Sequence, residues 1–172
     1  MESIDNIYVK SQISKRINLL IWEINDNLKE ILEFKIKKEI EGKCIIEGYV
    51  KKDSIRIVQY SNGNLSGKYV TFEIIVECLI CNPYQGMLIQ SKVKNITKAG
   101  VRCEVEDNYN PIVLFINRDY TSNIEELNKL NLDDIVICKV IGQRYELNDE
   151  YISVIADLNE KKKMKPKRKL KE

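Results

Sequence analysis

The side chains with the clearest chemical bias lie between Met87 and Tyr120 of this 172-residue chain. Along Met87 to Ile96, Met87, Ile89, Ser91 and Val93 alternate with Leu88, Gln90, Lys92 and Lys94. Successive strand side chains point to opposite faces, so if the first set faces a core, Lys92 and Lys94 face out. Lys98 falls in the short turn Thr97-Lys98-Ala99-Gly100. On the next run Val101, Cys103 and Val105 face in and Arg102 faces out. Lys92, Lys94, Lys98 and Arg102 then share one side of a hairpin, followed by Tyr109, Phe115, Arg118 and Tyr120. Cations for phosphates and rings for bases are what an unpaired nucleic-acid strand requires. A solvated lysine face has the same spacing, and both readings stay open here.

Other chemistry has little to stand on. There is no histidine, so no Ser-His or Cys-His pair can form. Cys78-Leu79-Ile80-Cys81 is formally C-x-x-C, but a zinc site needs four ligands and no second such pair exists. Residues three apart on a strand also point to opposite faces. Asn62-Gly63 and Ser66-Gly67 read as turns and not as a phosphate loop. The expectation is a chain with no catalytic residues, no metal and no cofactor.

The elements that would position these residues change at Asn82-Pro83. Tyr8 to Leu20 alternates as a first strand. Asn25 is placed to cap a helix running to Glu41, with Asp26 in its first turn. Leu28, Ile31, Leu32, Ile36 and Ile40 form its apolar stripe, and Gly42 suits the left-handed residue beyond it. Cys44 to Val50 and Ile55 to Tyr60 read as strands, and Ser61 to Gly67 as a loop. Gly63 and Gly67 would supply backbone angles closed to other residues. From Tyr69, Val70, Phe72, Ile74, Val76, Cys78 and Ile80 recur at every second position until Pro83 stops the ladder. Residues 1–82 thus predict an α+β domain, one helix on a small antiparallel sheet. Beyond Pro83 only strands follow: Met87–Ile96, Val101–Glu106, Ile112–Asn117, Ile135–Tyr145 and Tyr151–Leu158. A short helical turn through Ile124, Leu127, Leu130 and Leu132 precedes the fourth. That is the pattern of an all-β, five-stranded OB barrel over 83–160.

Composition bounds the setting. Residues 161–172 hold eight of the 28 basic residues and one of the 26 acidic ones, so residues 1–160 have a net charge of −5. The tail, from Lys161 on, is expected to be disordered and to serve as a nuclear-import signal, an anchor on nucleic acid or a solubilising end. No window is long and apolar enough to span a membrane, and Met1-Glu2-Ser3-Ile4-Asp5 is not a signal peptide. Five cysteines in apolar runs suit buried, reduced thiols in a protein that is not secreted.

A strand ending in Asn82-Pro83-Tyr84, then Gly86, then a hairpin turned at Gly100, resembles the middle of one family. Lys38 to Cys44, Gly48-Tyr49-Val50 and Ile152 to Leu158 add to the likeness, which runs from about Tyr8 to Leu158. The family is the larger stalk subunit of multisubunit DNA-directed RNA polymerases: the seventh subunit of eukaryotic RNA polymerase II and its archaeal E-prime counterpart. The resemblance implies a truncated ribonucleoprotein-like tip domain. It also implies a barrel of the type repeated in the largest bacterial small-subunit ribosomal protein. Asn62, Gly63, Asn64 and Gly67 would then dock on the polymerase core, near the base of the clamp. Pro83 and Tyr84 would meet a smaller second stalk subunit. The barrel would touch single-stranded RNA leaving the enzyme through Lys92, Lys94, Lys98, Arg102, Tyr109, Phe115 and Arg118. Arg102 stands where free RNA-binding barrels of this type carry an aromatic, which implies weak, sequence-blind contact. Abundant Ile, Asn and Lys point to an AT-rich genome, as in a large DNA virus with its own polymerase. The expected location is the nucleus, or the cytoplasm and virion for a virus. The competing reading is a free-standing single-stranded RNA-binding protein of translation or RNA metabolism.

Overall fold

The computed structural model describes residues 6–161, without the side chains of residues 160 and 161. The tail from Lys162 on lies outside the described residues. Contacts divide the chain into two units. Among the described residues, one comprises Ile7–Asn82 with Tyr145–Ile152, the other Asn6, Pro83–Arg144 and residues 153–161.

The first unit is built on one strand. β6 (Tyr69–Cys81) pairs along its whole length with β1 (Tyr8–Leu20), from Leu20↔Tyr69 to Tyr8↔Cys81. On its other side it meets β5 (Asn64–Ser66), β4 (Arg56–Tyr60) and β3 (Gly48–Val50) in turn, all antiparallel, and β2 (Cys44–Ile45) pairs β3. Strand alternation sends Phe72, Ile74, Val76, Cys78 and Ile80 to one face, with Ile13 and Ile17 of β1 beside them. Helix α1 (Leu28–Ile40) lays Leu32, Ile36 and Ile40 on that face. Fully burying one such side chain contributes about 1.5–3 kcal/mol.

Three local expectations are corrected. The helix begins at Leu28 and Asn25 does not cap it: the Asn25 side-chain oxygen accepts from the Asn27 N–H (2.9 Å), closing a turn ahead of the helix. Cys44 to Val50 is not one strand but the hairpin β2–β3. Gly48 makes that reversal possible at φ +131°, with its Cα against the Cys81 carbonyl where no side chain fits. Ser61 to Gly67 is not all loop, because Asn64–Ser66 pairs with β6. Gly42 does take a left-handed φ of +69°, but its N–H donates to Val50 O (2.9 Å) and not back to the helix.

The second unit is a closed five-stranded barrel. Its strands are β7 (Leu88–Ile96), β8 (Gly100–Glu104), β9 (Ile112–Asn117), β10 (Ile135–Arg144) and β11 (Ile152–Lys161). They close in the order β7-β8-β9-β11-β10. The short helix α2 (Ile124–Leu127) precedes β10 and buries Leu127. Ser91 lies inside the barrel, its hydroxyl 3.3 Å from Cys138 Sγ, so this buried polar group is satisfied. Cys103, hydrogen-bonded to Cys138 and desolvated, has its thiol pushed up; burial pushes Cys44 and Cys78 up to about 11.

Asp157 on β11 ties down the chain after β9. It accepts from Thr121 Oγ1 (2.7 Å), Ser122 N–H (3.1 Å) and Ser122 Oγ. Burial alone would raise its pKa, but the bonds from Ser122 and Thr121 outweigh that and hold it below the usual value. A lowered folded pKa stabilises above the unfolded value and is lost as pH falls through the folded one. Asp157→Asn is therefore expected to cost less than about 1 kcal/mol at neutral pH, because the carboxylate is partly screened by solvent. Its difference from the parent should vanish in acid, as read by urea midpoints across pH.

Candidate nucleic-acid interface

The outer face of β7, β8 and β9 gathers most of the cations singled out in the sequence. Register sets two rows. Lys92 lies opposite Glu104, which lies opposite Val113; Asn95 lies opposite Arg102, which lies opposite Phe115. A bulge between Val93 and Asn95 leaves Lys94 unpaired in the ladder, so Lys94 and Asn95 are both exposed. The slip is written in the chain: Val93 and Ile96 both pair with inward residues, Cys103 and Val101, yet stand three apart. Lys98 sits exposed in a turn held by Thr97, whose hydroxyl bridges the Gly100 C=O (2.9 Å) and N–H (3.2 Å). Gly100 is required here, since a Cβ would strike the carbonyl oxygen of Ile116.

Arg118 reaches the same end, its N–H donating to Ala99 O (3.2 Å), with its Nε buried and unpaired. Phe115 is half-buried and lies opposite Arg102 in the register, so the two share the outer face; the Phe115 ring reaches over Gly100 and the Arg102 guanidinium meets Glu104. Tyr109 is not brought to them. It sits half-buried in the 105–111 loop at the far end of β8, its N–H bonded to Asp107 (3.4 Å). Tyr120 is exposed beyond β9.

Carboxylates temper this face. Lys92 Nζ is 3.1 Å from Asp133 and 3.7 Å from Glu106, and the bond to Asp133 raises its pKa. Arg102 is 3.0 Å from Glu104. Glu104 was legible as a neighbour, two residues along the same strand face; Asp133 carried no such signal. Residues 83–144 and 153–160 hold eight Lys and Arg against ten Asp and Glu, so any attraction for phosphate must be local to Lys94, Lys98 and Arg118.

In the first unit, Asn62, Gly63, Asn64 and Gly67 are all exposed. Gly67 has φ +59° and open space around it. Gly63 does not have a positive φ, contrary to expectation; it is needed because a Cβ would meet Val70 and the Phe72 ring. Sequence reasoning missed what surrounds this loop. Trp22 (73% exposed), Leu65 (66%), Ile21 and Tyr69 all leave apolar surface open at one end of the sheet. They share that end because Leu20 pairs with Tyr69, Ser66 pairs with Tyr69, and Ile21 N–H donates to Lys68 O (3.3 Å). Leu65, opposite Val70, lies on the helix face and Tyr69 on the other, so apolar surface is exposed on both faces of this end.

Pro83 is buried and Tyr84 is exposed, its carbonyl accepting from Met87 N–H (3.1 Å). Among the described residues no group of three or more Cys, Asp or Glu is placed to hold a metal ion. No helix among them is long and apolar enough to cross a membrane. No protein-family model and no curated protein sequence matches this chain.

Proposed function

We propose that this chain is a non-catalytic stalk subunit of a DNA-directed RNA polymerase. The carrying observation is a one-helix sheet with an exposed apolar end, followed by a five-stranded barrel with a short helix before its fourth strand. The first unit is read as a truncated ribonucleoprotein-like tip and the second as an OB barrel of the ribosomal-protein type. The apolar end at Trp22 and Leu65, with the loop from Asn62 to Gly67, docks on the polymerase core near the clamp. Tyr84, exposed beside Pro83, offers a ring to a smaller second stalk subunit. The barrel contacts nascent RNA through Lys94, Lys98, Arg118 and Phe115. Bond formation between nucleotides belongs to the core subunits, in the nucleus or, for a viral enzyme, in cytoplasm and virion.

The test is purification of the tagged chain from its native cells. The two largest polymerase subunits are expected to co-elute; elution alone at low salt rejects the reading. A free-standing RNA-binding protein is the second reading, favoured by the Arg102–Phe115 pair on an open barrel face. It predicts RNA recovery without polymerase subunits.

A further inference from the structure

β6 keeps one partner along one side, but on the other its partner changes from β4 to β3. The β4 pairing ends at Arg56↔Glu77 and the β3 pairing begins at Val50↔Ile80. The chain between, residues 51–55, leaves the sheet. It is pinned by Lys51 N–H to Leu79 O (2.9 Å), and by Ser54 Oγ, which accepts from Leu79 N–H (3.2 Å) and donates to Lys51 O (2.6 Å). A cleft of about 310 Å³ opens at this break, lined by Lys10, Lys51, Lys52 and Arg56 with Asp53 and Glu77. Four cations against two carboxylates leave a formal excess of two positive charges.

The cations are differently held. Lys10 is clipped to Glu77 (2.9 Å). Lys51 places its ammonium 4.4 Å over the Tyr8 ring, which positions the charge without neutralising it. Arg56 is exposed opposite Glu77 in the strand register and makes no ion pair among the described residues. The main-chain groups of Leu79 at the floor are already bonded. Recognition there falls to side-chain charge, and none of the lining residues is aromatic.

The geometry points to a phosphate-binding cleft. Its ligand is a tetrahedral phosphate, carried on a nucleotide or along a nucleic-acid backbone, received by the Arg56 fork and the Lys51 ammonium. No base is read there. The cleft lies within the first unit and does not depend on the polymerase reading, which the co-purification tests separately.

Nuclear magnetic resonance titrations of the full chain decide it, with inorganic pyrophosphate in one arm and a short oligouridylate in the other. Local shifts at the Leu79 amide and the Arg56 side chain distinguish this cleft from the barrel and the tail. Lys51→Ala with Arg56→Ala is expected to weaken pyrophosphate binding about tenfold or more. Glu77→Gln, which frees Lys10, is expected to tighten it, an effect that misfolding would not produce. Shifts with pyrophosphate alone assign a nucleotide phosphate; shifts with the oligomer as well assign a chain. If neither probe moves Leu79 and Arg56, or all three proteins bind alike, the cleft is not a phosphate site.

Discussion

Trp22→Ala is expected to weaken the hold of the tagged chain on the polymerase core by about thirtyfold while leaving its melting temperature unchanged. A buried Trp anchor at an interface is typically worth at least about 2 kcal/mol, which is that ratio. The fold should not notice, because Trp22 is 73% exposed and its turn is fixed by other groups. Glu23 accepts from Leu20 N–H (2.7 Å) and from Lys35 (3.3 Å), which hold the turn without the indole. Gly67→Val tests the adjoining loop: at φ +59° with open space, valine adds about 1–2 kcal/mol of backbone strain and no clash. Gly63→Val is a poorer probe, since it pushes on Phe72 in the core and weakens the sheet itself. Recovery of the core unchanged in both Trp22→Ala and Gly67→Val, measured by co-purification beside thermal melts, would remove this end as the docking surface.

Single-stranded RNA is expected to distinguish the cations of the barrel hairpin. Lys94 and Lys98 are exposed and make no ion pair among the described residues, whereas Lys92 and Arg102 already face carboxylates. Lys94→Ala with Lys98→Ala should lower the magnitude of the log–log salt slope by about 1.4, two contacts at about 0.7 each. Lys92→Ala should change it less, because Asp133 and Glu106 have taken part of its charge. Deleting residues 162–172 should weaken duplex and single strand alike, since a run of cations reads charge density. The hairpin pair should weaken single strands preferentially, since a barrel face follows an unpaired backbone. Salt titrations on these proteins with both substrates measure each part. An unaltered slope for the Lys94 and Lys98 variant would make the barrel a protein-binding face.

What the sequence showed was what period alone can carry. In the thirteen-residue run from Tyr69 to Cys81 the alternating set Phe72 to Ile80 is buried throughout, joined only by Cys81 at the end of the strand. The barrel strands were legible for the same reason. Reversals inside short stretches were not: in Cys44 to Val50, Glu47-Gly48 also fits one polar position of a single strand, and the φ of Gly48 discloses the hairpin. The bulge at Lys94 was visible as a slip in alternation, but one residue out of step looks like noise until the register is known. Pairings across long separations, such as Lys92 with Asp133 or Lys10 with Glu77, depend on topology and leave no local trace. The Trp22 surface was hidden because an apolar residue after a strand reads as core until its exposure is seen.

The exchange of residues 145–152 bears on how this protein can be divided. Tyr145–Ile152 joins β10 to β11, yet its bonds are to the first unit. Asn148 N–H donates to Cys44 O (2.9 Å), Cys44 N–H to Asp149 O (2.8 Å), and Tyr145 Oη to Ile46 O (3.0 Å). From Ile7 on, the described polypeptide therefore passes from one unit to the other at three places, after Asn82, Arg144 and Ile152. Scission after Asn82 cuts only one of those passages. A fragment beginning at Pro83 carries a loop stripped of its acceptors, and a fragment ending at Asn82 leaves the Cys44 N–H and C=O on an open strand edge. Truncation or fusion at the Pro83 boundary therefore cuts through the first unit and does not separate two closed modules.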